Sequence, residues 1–163
     1  MKVLLSAILF FTLGIQATEA SSSFIIVNKE TNQLAYFKEG EVVEIFTVAT
    51  GATNDLTPTG KHKIVVKAVD PYYRKKNIPG GSPNNPLGSR WMGIDALDTD
   101  GRIYGIHGTN RPDSIGKSVS AGCIRMKNEE IEKLYSNIPI GTTVYITSSE
   151  EDFATIAKKL NAL

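Results

Sequence analysis

One cysteine, two histidines and one tryptophan are all that 163 residues hold of the scarcest reactive and aromatic side chains. A single cysteine excludes a disulfide framework within the chain. Two histidines and one cysteine, with neither CxxC nor HExxH spacing, make no recognisable zinc site, so no metal is expected. Neither sign of charge is in excess: 18 Lys and Arg against 17 Asp and Glu leave a formal +1, which removes the electrostatic case for nucleic acid. Internal repeats, heptads and low-complexity tracts are absent as well. The length suits one domain with a real core and leaves too little for a second.

What is present begins with an apolar run, Val3 to Ile15, behind Lys2 and ahead of the small residues Thr18 and Ala20. It is shorter than the ~20 residues a helix needs to cross a bilayer. Residues 1–20 therefore read as a secretory signal peptide, cleaved after Ala20. Its removal takes one charge of each sign, Lys2 and Glu19, and leaves the mature chain at +1. No cysteine follows the run, so no lipid anchor on a processed N-terminal cysteine is expected. The expected location is a periplasm or cell-wall space.

Export sharpens the question of Cys123, because cysteines in an oxidising compartment are usually paired. Alone, it reads equally as a buried free thiol or as half of an intermolecular disulfide. Flanking glycine and arginine and a preceding HGT histidine add a nucleophile as a third reading. The stretch from Ile106 to Met126, IHGTNRPDSIGKSVSAGCIRM, carries both Cys123 and His107. At an ordinary pKa of ~8.5 only roughly 3% of a thiol is ionised at neutral pH, so a catalytic one needs a base or cation beside it. His107 is the candidate. Residues 108 to 122 lie between the two, so the fold has to bring them together, and glycines at 108, 116 and 122 allow a looped path. Gly122 permits backbone geometry that other residues avoid, and the N–H groups of Gly122 and Cys123 are candidate oxyanion donors. Nucleophile, base and oxyanion donors are three parts of an acyl-transfer site.

Along the mature chain, the apolar runs Phe24–Val27 and Leu34–Phe37 flank the polar loop Asn28–Gln33, a hairpin signal. A turn at Lys38–Glu41 leads into the β-branched segment Val42–Thr50, which predicts an antiparallel meander. Past Thr57-Pro58-Thr59-Gly60 the segment Ile64–Ala68 alternates as a strand, and His62, between Lys61 and Lys63, reads as solvated surface. Prolines at 71, 79, 83 and 86 predict no regular element over Asp70–Arg90, which reads as one wall of a cleft. Trp91 and Tyr73 are candidates for substrate contact, with core packing as the alternative. Trp91–Leu97 and Arg102–His107 flank a turn at Asp98–Gly101, which places His107 at a strand end. Asn128 reads as the cap of a helix with Ile131, Leu134, Tyr135 and Ile138 inward and Glu129, Glu130, Glu132 and Lys133 in water. Val144–Ile146 reads as a closing strand, and Ser149 as the cap of a C-terminal amphipathic helix docked by Phe153, Ile156 and Leu160.

His107-Gly108-Thr109, Ser114-Ile115-Gly116 and Ser120-Ala121-Gly122-Cys123-Ile124-Arg125-Met126 together resemble the active-site signature of the L,D-transpeptidases, the YkuD-like family. The usual pattern has SHGC before a hydrophobic residue and arginine; Ala121 stands here in place of the second histidine. Asn85 to Met92 resembles the family segment leading into the strand before the catalytic histidine. The resemblance spans most of Phe24 to Thr147, with its specific motifs between 85 and 126. It implies a mainly β, sandwich-like fold with a helix after the cysteine and a C-terminal helix. The expected divisions are a signal peptide at 1–20, a catalytic domain at 21–147 and a docked helix at 148–163.

The resemblance further implies an exported cysteine L,D-transpeptidase. Cys123 would attack the carbonyl between the third and fourth residues of a peptidoglycan stem tetrapeptide, release D-alanine and form a thioester, which an acceptor amine resolves. Catalytic roles fall to Cys123, His107, Gly122 and Ser120, with either Ser120 or the Gly108 carbonyl orienting the imidazole. Substrate contacts fall to Arg125, Gly108 and Thr109, and Arg125 reads equally as a pin that bonds backbone carbonyls of the catalytic loop. No cofactor is expected; the expected partners are donor and acceptor stem peptides, and the expected state is a monomer. Two alternatives stand beside this reading: an L,D-carboxypeptidase with water as acceptor, and a secreted binding module that has lost activity, which Ala121 favours.

Overall fold

The computed structural model describes residues 23–161, so the expected signal segment lies outside the described residues. Strand β1 (Ser23–Asn28) pairs antiparallel with β2 (Gln33–Lys38), and β2 with β3 (Glu41–Thr47), which is the meander read from the turns. The chain continues through the short β4 (Thr50–Gly51) to the long β5 (Gly60–Val69). β6 (Arg90–Ile94) and β7 (Tyr104–His107) are antiparallel neighbours and set Trp91 opposite His107. β8 (Ser118–Ser120), β9 (Ile124–Arg125), helix α1 (Asn128–Asn137), β10 (Thr143–Thr147) and helix α2 (Phe153–Asn161) follow.

Eight strands form one sheet in the order β3-β2-β1-β10-β5-β6-β7-β9, and β4 and β8 pair separately. β10, the expected closing strand, instead runs through the middle, parallel to β1 and antiparallel to β5. The run Phe24–Val27 lacks polar alternation because both its faces are covered. Ile25 and Val27 join one buried cluster with Leu34, Met92 and Val144, while Ile26 joins another with Phe37, Phe153 and Ile156.

The first cluster also contains Phe46 from one edge of the sheet, Ile124 from the other, and Ile131 and Leu134 of α1. A flat sheet of this size would hold its edge strands about 34 Å apart at ~4.8 Å per strand, so the sheet must curl around this core. The curl nearly closes. Beyond β3, Ala49 exchanges two backbone hydrogen bonds of 2.9 Å with Arg125 of the opposite edge. One curled sheet therefore supplies the sandwich-like enclosure.

Three local readings change. Residues 95–103 join β6 to β7 as a long loop, with Leu97 and Asp98 at positive φ, because the Trp91 indole N–H reaches the Gly101 carbonyl at 2.9 Å and draws the loop over its ring. Segment 70–89 carries a 3-10 turn at Arg74–Lys76 and is ordered by buried Asn85, whose amide donates to the Pro71 and Pro79 carbonyls at 2.8 and 3.1 Å. Helix α2 is capped by Asp152, which accepts the Thr155 N–H at 2.7 Å, while the Ser149 hydroxyl takes the Glu151 N–H one turn earlier.

At α1, Lys127 occupies the cap position without a side-chain cap bond, and Asn128 is already helical. Glu130, read as facing water, is half-buried beside Lys127 at 3.6 Å. The last turn of α1 has no basic residue of its own, so its carbonyls need a donor from elsewhere. Lys67 of β5 provides it, bonding the Tyr135 and Ile138 carbonyls at 2.7 and 2.5 Å with its ammonium 4.0 Å above the Tyr135 ring. Lys67→Met keeps the aliphatic stem and removes the charge from the helix C-terminus. It is expected to cost about 2 kcal/mol, the range for hydrogen bonds to a charged group, read as a lower denaturant midpoint at unchanged slope; an unaltered midpoint removes Lys67 as the helix's terminal donor.

Candidate active site

β9 pairs in parallel with β7, setting Ile124 against Ile106 and Arg125 against His107. Strand alternation puts His107 and Arg125 on one face, and Cys123, two residues before Arg125, belongs to that face too. The parallel register sets Cys123 level with Gly105, two residues back along β7 from His107, so the fold brings the two segments together as their separation along the chain required.

His107 is 4% exposed. Its Nδ1 lies 2.6 Å from the Gly108 carbonyl, so the proton of the neutral ring sits on Nδ1 and the basic lone pair on Nε2. The Trp91 indole stacks on the imidazole with centroids 5.4 Å apart and planes at 21°, so Trp91 packs against His107 and is itself buried. Gly105 is what lets the indole lie so close: a Cβ there would stand 2.8 Å from Trp91 Cζ2. Burial lowers the His107 pKa from 6.5 to about 4; the Gly108 carbonyl opposes this, the Arg125 charge adds to it, and the Leu87 carbonyl opposes it again.

Cys123 is half-buried, and its thiol donates to the Ile103 carbonyl at 3.4 Å. Burial pushes the thiol pKa up, against the Gly105 N–H and the charges of Lys75 and Arg125, which pull it down. The resting pair is thus a neutral thiol and a neutral imidazole, with the thiol turned to Ile103 rather than to the ring.

Before the cysteine the chain makes a tight turn. The Ser120 hydroxyl donates to the Cys123 carbonyl at 2.6 Å and accepts the Gly122 N–H at 3.0 Å, so it braces the turn, and the Gly108 carbonyl is the group that meets the imidazole. Gly122 has φ of +125°, and a Cβ on it would stand 2.4 Å from the Leu56 carbonyl oxygen, so only glycine fits. Of the two expected oxyanion donors, the Gly122 N–H is occupied by Ser120. The N–H groups of Ala121 and Cys123 donate to no group among the described residues, and the Ala121 side chain is exposed.

Thr109 is buried, with its N–H on Asn128 Oδ1 at 3.2 Å and its hydroxyl oxygen accepting the Arg111 N–H at 3.0 Å. Asn128 Oδ1 also accepts the Ser89 N–H at 3.2 Å, so one amide ties the loop after His107 to the strand before it. Sequence reasoning took Asn128 for a helix cap, a role that shares its signal with this one. The Arg125 guanidinium makes no hydrogen bond or ion pair among the described residues, and after burial the nearby Arg111 charge lowers its pKa. His62 lies on β5 opposite Val144, its Nε2 3.2 Å from the Pro58 carbonyl.

Residues 22–146 match the YkuD family, described as the L,D-transpeptidase catalytic domain. YqjB of Bacillus subtilis, whose name places it among the L,D-transpeptidases, is 58% identical over 140 residues, which are 86% of this chain and 80% of YqjB. YkuD of Bacillus licheniformis, named likewise, is 37% identical over 134 residues, 82% of this chain and 71% of that protein. Among solved structures, the catalytic domain of the Enterococcus faecium L,D-transpeptidase aligns with a TM-score of 0.58 at 24% identity, covering 78% of this chain and 98% of that domain. An L,D-transpeptidase from Mycobacterium smegmatis gives 0.60 at 18% identity, covering 77% of this chain and 58% of that longer one. These two share the fold; the sequence matches go further, and by them the chain belongs to the L,D-transpeptidase catalytic-domain family.

Proposed function

We propose that the protein is an exported transpeptidase that cross-links peptidoglycan stem peptides through a thioester on Cys123. The observation that carries this reading is the nucleophile turn, in which Cys123 follows two unengaged N–H directions, its own and that of Ala121, beside the strand bearing a buried neutral His107. The pattern of residues 1–20 supports export.

In the proposed reaction the thiol leaves the Ile103 carbonyl and passes its proton to His107 Nε2 as sulfur attacks the donor carbonyl. The Ala121 and Cys123 N–H groups receive the developing oxyanion, and such a donor is typically worth about 3 kcal/mol of barrier. Collapse breaks the C–N bond, the imidazolium gives its proton to the departing D-alanine amine, and a thioester remains. An acceptor amine then attacks the thioester, loses a proton to His107 and expels the sulfur, which recovers its proton from the ring. Arg125, with no partner of its own among the described residues, is suited to a substrate carboxylate.

Incubation with purified muropeptides tests this directly. Mass spectrometry is expected to show loss of D-alanine with formation of cross-linked dimers; D-alanine loss without dimers assigns water as the acceptor, and no reaction sinks the enzymatic reading. Ertapenem, the acylating agent in one Enterococcus faecium structure that shares the fold, serves as a simpler probe. It should add its mass to the wild-type chain and not to Cys123→Ser. Arg125→Ala is expected to weaken donor use while leaving the melting midpoint within a few degrees; a large fall in midpoint would assign Arg125 to holding the loop.

Rates separate the roles at 107 and 121. His107→Ala should slow Cys123 acylation by about a hundredfold or more, within the ~10² to 10⁴ of general acid-base catalysis. Ala121→His should change it by less than about tenfold, or ~1.4 kcal/mol of barrier. An inert wild type restored by Ala121→His would overturn the single-base reading.

The same base sets the pH dependence. His107 must be neutral to accept the proton, and its pKa lies at about 4, so acylation should be nearly level between pH 5.5 and 7.5 and fall as pH drops through about 4. A tenfold fall between pH 7.5 and 5.5 would place the working pKa near that of free histidine and contradict the neutral resting pair.

A further inference from the structure

The two unengaged N–H groups of the nucleophile turn have a common feature. Each belongs to a peptide whose carbonyl is held by the segment between β4 and β5. The Ser120 carbonyl, in the peptide that ends on the Ala121 N–H, accepts the Ala52 N–H at 2.9 Å. The Gly122 carbonyl, in the peptide that ends on the Cys123 N–H, accepts the Thr57 hydroxyl at 3.0 Å. In a planar trans peptide the C=O and N–H point in opposite directions, so fixing one aims the other.

Thr57 is fully buried, and its hydroxyl oxygen is fixed in turn by the Gly51 N–H at 2.8 Å. With that lone pair occupied, the hydroxyl proton is directed to the Gly122 carbonyl. Behind Thr57 stands Lys29, 7% exposed, whose ammonium binds the Thr57 carbonyl at 3.0 Å and the Asn54 carbonyl at 2.5 Å. A buried ammonium holding two carbonyls of one short loop keeps that loop from shifting away from the turn. The Leu56 carbonyl already presses against Gly122.

We propose that Thr57 is a positioning residue for acyl transfer: its hydroxyl, in a loop anchored by Lys29, holds the Gly122 carbonyl so that the Cys123 N–H faces the oxyanion. This rests on the reading of Cys123 as the acylated nucleophile. A residue that only stabilised the fold would affect every reaction of Cys123 alike. An oxyanion-positioning residue affects attack on a carbonyl and leaves attack on a saturated carbon unaffected.

The test compares the full chain with Thr57→Val, which keeps the shape and loses the hydroxyl, and with Thr57→Ser, which keeps the hydroxyl. Acylation by saturating ertapenem and alkylation by iodoacetamide are both followed by intact mass at one pH. Thr57→Val should acylate at least tenfold more slowly, alkylate within about twofold of wild type, and be rescued by Thr57→Ser to within about threefold. The proposal is overturned if Thr57→Val acylates at the wild-type rate, if it loses both reactions in parallel, or if Thr57→Ser fails to restore acylation. Should Thr57→Val not fold, Lys29→Met reads the same clamp from its outer end, with acylation slowed at least threefold against unchanged alkylation supporting it and equal effects on both rejecting it. Wild-type protein that alkylates but never acylates would remove the acyl-transfer reading and this proposal with it, whereas acylation insensitive to Thr57 removes the proposal alone.

Discussion

The site depends on a two-residue strand being held from both sides. Ile124 and Arg125 pair with Ile106 and His107 of β7, and Arg125 also exchanges both of its backbone hydrogen bonds with Ala49 from the opposite edge of the sheet. The ladder continues one residue further, where the Met126 N–H reaches the His107 carbonyl at 2.8 Å. A two-residue strand would be marginal alone, but here it is locked between neighbours and roofs a core that includes Ile131 and Leu134. Cys123 immediately precedes that locked strand. Reactive groups carried on such elements are held more closely than groups on loops, and the only loop-like part left is the turn before the cysteine.

Burial then sets the chemistry of the pair. Moving the His107 pKa from 6.5 to about 4 disfavours the imidazolium by about 3 kcal/mol relative to water. That penalty makes the ring a weak base at rest but a strong acid once protonated, which suits the proposed return of a proton to a poor amine leaving group. The Gly108 and Leu87 carbonyls keep the penalty from growing further. Arg125 acts on the two partners in opposite senses, favouring the thiolate and disfavouring the imidazolium. These two effects of Arg125 oppose each other in a proton transfer between the partners, and burial, the largest cause at each, keeps both neutral at rest.

Cys123 and His107, the proposed nucleophile and base, stood out in the sequence because residues of their kinds are so few, and because HGT and GCIRM stand in one stretch of the chain. The meander was legible for a similar reason, its turns being marked by Asn32, Glu39 and Gly40, all with positive φ. β10 was not: Val144-Tyr145-Ile146 looks the same at an edge or at the centre, and nothing local records a parallel pairing with β1. Asn128 misled because a side chain that caps a helix and one that reaches across to Ser89 and Thr109 share one residue type and one place in the chain. Ser149 and Asp152 compete for one cap, and a difference of three residues lies within the ambiguity of a helix boundary read from sequence. Thr57 stood inside a turn motif 65 residues from the carbonyl it binds, so its role existed only in the folded chain.

The turn also shows what position 121 contributes, where the pattern that the sequence resembles has histidine in place of Ala121. At 120 the turn uses a side chain, since the hydroxyl satisfies the Cys123 carbonyl and the Gly122 N–H together. At 122 it uses the lack of one, since a Cβ would strike the Leu56 carbonyl. At 121 it uses only the backbone: the Ala52 N–H holds the preceding carbonyl, the Ala121 N–H points the opposite way, and the side chain stands in solvent. Any L residue except proline supplies that N–H equally well. A histidine placed there would sit outside the hydrogen bonds that shape the turn, and the buried ring at 107 would keep its Gly108 partner and its Trp91 stack unchanged.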